Sequence, residues 1–124
     1  MVNQGDIVFY AFSEVAGYSK FGSYTGNGSS DGTFVFTGFR PAFILIKRKD
    51  STGNWFILDN KRDPFNEVTK DLYPNTSGTE TDNANFLDFL SNGFKLRTTG
   101  TAVNAGTIIY LAFAESPFKN SRAR

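Results

Sequence analysis

The chain has neither cysteine nor histidine among its 124 residues. Without cysteine there are no disulfides, no thiolate metal ligands and no thiol nucleophile. Without histidine the commonest general base and the commonest metal ligand are both missing. An excess of one charge is missing too, since 13 basic and 12 acidic residues leave a net +1. Attraction to a polyanion is therefore not built in, and nucleic acid is not an expected partner. No apolar run approaches a membrane span, and residues 1–20 lack a basic start followed by an apolar core. Neither membrane insertion nor an export signal is expected. Amphipathic segments of about ten or more residues between strands are also lacking, which removes the helical and parallel α/β classes.

What is present is aromatic and extended. Fourteen Phe, five Tyr and one Trp supply much of the core volume. A chain of this length makes one domain, expected to span 1–124, burying roughly two-thirds of its unfolded surface. Its centre is GFRPAFILIKRKDSTGNWFILDN, residues 38–60, where apolar runs at 42–46 and 55–58 flank a polar turn. β-branched and aromatic residues bounded by Gly, Pro and Asn predict a hairpin. The first run is apolar on both pleat faces, with Phe43 and Leu45 on one and Ile44 and Ile46 on the other. Such a strand is central in a layered fold or covered by a second subunit.

Further strands are predicted at 7–13, 33–37 and 107–115, with 19–25 a short strand or extended loop. Residues 86–97 predict a hairpin turning at Asn92-Gly93. Asp63-Pro64 followed by Phe65, Val68 and Leu72 predicts one or two helical turns. Polar loops are expected at 26–32 and 74–85, with a small-residue loop at 98–106 and a polar tail at 119–124. About eight short strands predict an all-β antiparallel sandwich, jelly-roll or concanavalin-like, with at most one short helical turn. IVFYAFSE at 7–14 and IIYLAFAE at 108–115 share Ile, Ala, Phe and Glu in one register, 101 residues apart. That spacing is too long for a solenoid. It fits neighbouring strands of one sheet, a closing strand left from a preceding tandem unit, or chance among aromatic strands.

SKFGSYTGNGS, GFRPAFILIKR, LDFLSNGFK and YLAFAESPF carry a family resemblance that extends from about Val8 to Phe118. They resemble a domain of tailed-bacteriophage structural proteins, similar to modules that end tail fibres and related host-contacting virion proteins, often in tandem. The resemblance implies a virion location, a lectin-like sandwich, attachment to the host surface and a homo-oligomer, a trimer by preference, among other virion proteins. It transfers no catalytic motif. Met1 just before the first predicted strand, and the missing shaft of a fibre, are departures; an excised domain or a small gene product is expected.

Carbohydrate recognition needs a flat aromatic face for sugar C–H surface and amides or carboxylates for its hydroxyls. Tyr18, Tyr24, Trp55 and Tyr73 are candidate platforms, and Asn27, Asn54, Asn75, Asp82, Asn83 and Asn85 candidate polar partners. Tyr24 and Tyr73, beside loops rich in Gly, Asn and Ser, are the better exposed platforms; the plainer reading of Trp55 is core, since apolar neighbours follow it. Asp59, Asp63, Glu80, Asp82 and Asp88 could supply the carboxylate pair of a polysaccharide-degrading enzyme, but turn carboxylates usually cap turns. The cluster 80–88 lacks the spacing of a calcium loop. Gly26-Asn27-Gly28 lacks the strand–helix setting of a phosphate cradle. Asn27-Gly28-Ser29 and Asn75-Thr76-Ser77 fit the glycosylation pattern, which has no weight without a secretory route. Lys47-Arg48-Lys49 could touch an acidic polymer or be a solvated strand end. The expectation is thus a non-enzymatic module that binds host glycan through polar loops, with no cofactor and no metal. A purely structural virion part and a tail enzyme are the alternatives.

Overall fold

Alternation of buried and exposed side chains along short, glycine-punctuated segments produces eight strands in a computed structural model. It describes residues 5, 9 and 11–115, and at 83–85 the backbone only. The strands are β1 (Ser19–Asn27), β2 (Phe34–Phe36), β3 (Pro41–Arg48), β4 (Phe56–Asp59), β5 (Val68–Asp71), β6 (Thr81–Leu90), β7 (Gly93–Leu96) and β8 (Ala105–Ala114). One helical turn, α1 (Thr101–Asn104), precedes β8. The strands form two four-stranded sheets, ordered β1-β8-β3-β4 and β2-β7-β6-β5. Every pairing is antiparallel. The fold is an antiparallel β-sandwich. β1, β2, β3, β7 and β8 wind between the two sheets as in a jelly roll, while the β3–β4 and β6–β7 hairpins complete each sheet locally.

Inward side chains from both sheets make one core. Tyr24 and Tyr110 of the first sheet meet Phe94 of the second edge-to-face, at 5.9 and 5.5 Å between ring centroids. Ile44, Ile46, Leu58, Leu87, Phe89, Leu96 and Ile108 are fully buried around them. The sheets also touch along one edge, where Ile57 and Leu72 exchange backbone hydrogen bonds of 2.8 and 3.1 Å. Arg40 ties them at another place: its guanidinium donates to the Phe89 carbonyl and pairs with Glu115 at 3.1 Å.

Several local expectations are corrected. The helical turns expected at 63–72 do not form. Asp63 accepts hydrogen bonds from the Thr69 N–H and hydroxyl, and the Asn66 amide exchanges two bonds with the Phe89 backbone, feeding the chain into β5. Side-chain bonding to the backbone outcompetes the helix there, and Phe65 is exposed. The helical turn falls instead within the loop expected at 98–106. The loop expected at 74–85 ends earlier, since β6 begins at Thr81. The β6–β7 turn is Ser91-Asn92, with Leu90 paired to Gly93. Gly93 lies in the strand because a Cβ there would stand 2.0 Å from the Val35 carbonyl oxygen, so only glycine lets β2 close on β7. The strand expected at 7–13 lies mostly outside the described residues, and 11–13 carry no strand.

Candidate binding surface at the loop end

Antiparallel order sends the β1–β2, β3–β4, β5–β6 and β7–β8 connections to the same end of the sandwich. Trp55 enters this end from the β3–β4 hairpin, one residue before β4. Its backbone N–H donates to Asn75 Oδ1 at 3.0 Å, and Asn75 Nδ2 donates to Asn54 Oδ1 at 3.1 Å. The Asn75 amide thus bridges two loops and anchors the Trp55 main chain. The ring is half-buried and stands between two shallow depressions of about 300 Å³ each. One is floored by Leu45, Ile109 and Leu111 on the outer side of the first sheet. The other is lined by Leu45, Pro74 and Asn75. No charged side chain lines either depression. Among the described residues the indole N–H has no acceptor. An aromatic wall with amides at its foot and no charge suits a neutral, amphipathic ligand.

Of the candidate sugar-binding residues, Trp55, Asn54 and Asn75 are brought together. Tyr73 lies close in the chain but turns inward, its ring edge-on to Phe56 at 5.1 Å, while its hydroxyl accepts from Thr81. Tyr24 is corrected from platform to core: it is 7% exposed and its hydroxyl donates to the Val103 carbonyl at 2.8 Å. Burial pushes its pKa up and keeps the hydroxyl a donor. Its place in β1 alternates it inward, which outweighs the neighbouring glycine loop. Asn27 is exposed, but its side chain holds its own loop, accepting from Ser29 N–H and donating to the Asp31 carbonyl. Asp82 is exposed on β6, opposite Lys70. The side chains of Asn83 and Asn85 lie outside the described residues. Tyr18 sits at the opposite end, against Phe113.

Most of the charged candidates are engaged within the chain. Lys47 Nζ donates to the Arg48 and Ser51 carbonyls, and Arg48 pairs with Asp50 and donates to the Thr101 carbonyl. The Thr107 N–H, then Arg48, hold the Asp50 carboxyl below its usual pKa. Asp59 pairs with Arg62, and Arg62 lies 3.8 Å from Glu80. Burial pushes the Asp59 carboxyl up, but the Arg62 and Lys61 N–H groups and the guanidinium together bring it below the ordinary value. Asp88 pairs with Arg97 at 2.7 Å. No group of three acidic residues capable of holding a metal occurs among the described residues.

Asn104 is the residue that sequence reasoning missed. It is fully buried. Its Oδ1 accepts from the Asn27 N–H at 3.1 Å, and its Nδ2 donates to the Ser29 and Thr98 carbonyls at 2.7 Å each. Two neighbouring loops of the tip are held by one amide. Nothing in the sequence marks it, because its partners lie 75 and 77 residues away. No described helix is long and apolar enough to cross a membrane.

No curated protein and no solved structure matches the chain significantly. A family profile described as a domain of unknown function, DUF7483, matches residues 1–117, and the chain belongs to that family.

Proposed function

We propose that this DUF7483 domain is a non-enzymatic module of a bacteriophage virion, at a tail-fibre tip or on a related protein, that attaches to host-surface glycan through the loop end. The virion setting rests on the resemblance carried by the four segments quoted above. The observation that supports the ligand class is the Trp55 indole beside two uncharged depressions, with the Trp55 backbone N–H bonded to Asn75. A sugar would lay its C–H face on the indole and take hydroxyl bonds from the indole N–H and the Asn54 and Asn75 amides. The module works as a homo-oligomer, so that several weak tips engage one cell surface together. A glycan array probed with the full chain tests this reading. Binding to neutral polysaccharide that falls at least about tenfold in Trp55→Ala, with an unchanged melting curve, supports it. No binding to any glycan by a folded oligomer contradicts it. The second reading, a structural part of the particle, is favoured by the apolar outer side of the first sheet.

A further inference from the structure

The first sheet has two apolar faces, and the sandwich buries only one. On the outer face Phe21, Leu111, Leu45 and Ile57 stand side by side in one cross-strand row spanning all four strands. Phe43 and Phe113 flank this row on one side, their rings 6.0 Å apart, and Ile109 flanks it on the other. Ile109 is 36% exposed, and Phe12, whose ring rests on Phe21 and Phe113, is 57% exposed. A monomer rarely leaves so continuous an apolar surface open to water.

We propose that this face is covered by the same face of a second copy of the chain. The inference deepens the homo-oligomer reading above and leaves to the glycan the depression lined by Trp55, Pro74 and Asn75, since the one floored by Leu45, Ile109 and Leu111 lies within this face. Size is the first argument. The four strands hold nine, ten, eight and four residues, which at about 3.3 Å per residue and about 4.8 Å per strand give roughly 500 Å². Covering it on two copies removes roughly 1,000 Å², about the area a biological interface must clear. Charge is the second. Most ionic groups around the sheet are matched within the chain, as Glu14–Lys20, Arg40–Glu115, Arg48–Asp50 and Asp59–Arg62, and Lys47, register-paired with Ile109, donates its ammonium to the Arg48 and Ser51 carbonyls. A strongly charged partner therefore finds little complement, and a second copy brings no charge of its own beyond Lys47. Shape is the third. The face has the right-handed twist of any sheet, and twisted apolar faces stack in aligned fashion about 10 Å apart, as the two sheets of this sandwich already do. The partner must bring a twisted, largely apolar sheet, and the chain itself supplies one.

Trp55 borders the face and is the only tryptophan, so its emission reports the contact. Sedimentation velocity of the full chain from about 1 to about 100 μM should show a concentration-dependent oligomer, with Trp55 emission shifting to the blue as it forms. Phe21→Glu, at the edge of the row farthest from Trp55, should raise the dissociation constant at least about 100-fold while far-UV dichroism and glycan binding per chain stay unchanged. Phe113→Glu, beside the row, should do the same, and Phe21→Glu keeps the test valid if that variant fails to fold. A wild-type chain that remains monomeric at about 100 μM overturns the proposal, and would leave another protein or the chain's own first residues as the cover. An oligomer that survives Phe21→Glu unchanged overturns it as well. Loss of glycan binding alone, with association intact, counts against the proposed function and leaves this interface standing.

Discussion

Replacing Asn104 by alanine should loosen the whole loop end at a cost that can be worked from its contacts. The side chain makes three hydrogen bonds, to Asn27, Ser29 and Thr98, from a site with no exposure to solvent. Each is worth about 1 kcal/mol net, so Asn104→Ala should lose about 3 kcal/mol. Over 124 residues, an unfolding entropy of about 2.1 cal/mol/K per residue converts this into a Tm lower by roughly 10 °C. Asn104→Asp is the sharper variant. Its Oδ1 keeps the Asn27 bond, but its second oxygen faces two carbonyls where an NH₂ group stood. At neutral pH it should be less stable than Asn104→Ala. The two carbonyls disfavour the charged form and raise the folded-state pKa above the unfolded value of about 3.9. Stability relative to wild type should therefore be recovered below about pH 4 and lost as pH rises through the folded pKa. Thermal melts followed by far-UV dichroism at several pH values provide the assay. An Asn104→Ala variant within about 0.5 kcal/mol of wild type would refute the idea that this amide holds the tip.

Other substitutions test neighbouring parts of the structure. Gly93→Ala should destabilise by at least about 3 kcal/mol, or detach the three-residue β2, seen as fast amide exchange at Val35 and Phe36. Tyr24→Phe should cost about 1 kcal/mol through loss of the bond to the Val103 carbonyl, yet leave glycan affinity untouched, because this tyrosine is core. Asp50→Asn should flatten the acid side of the stability profile. The native Asp50 carboxyl is lowered, so its contribution is full above the unfolded pKa and fades as pH falls through the folded one. Melts at pH 2 to 7 in low salt would show whether the two chains converge at the acid end, as expected for about the carboxylate range.

The fold was readable because its signals are local. Alternation in PAFILIKR and FILD, and the long apolar run ending in LAFA, need only their own neighbours to be recognised as strands. β5 was not readable, since Val68–Asp71 becomes a strand through Asp63 accepting from the Thr69 N–H and through Asn66 bonding the Phe89 backbone 23 residues away. The candidate site was legible in part for the same reason. Trp55 beside Asn54 is visible in the chain, whereas the reach of Asn75 across 20 residues to the Trp55 N–H follows only from the packing of two loops. Tyr24 misled because a glycine-rich neighbourhood signals exposure, while the pleat turns that one ring inward between Phe94 and Tyr110. The outer face was foreshadowed by Phe43 and Leu45, which share their strand with the buried Ile44 and Ile46.

The most direct test is an amide NMR titration of the isotopically labelled full chain with the polysaccharide that binds best on the array. Shifts confined to Gly53–Trp55, Tyr73–Thr76 and the Trp55 indole N–H, with β2 and the opposite end unmoved, are the predicted result. Saturable shifts at the Ser91–Asn92 end, or across the sheet face with the Trp55 indole unchanged, would contradict it.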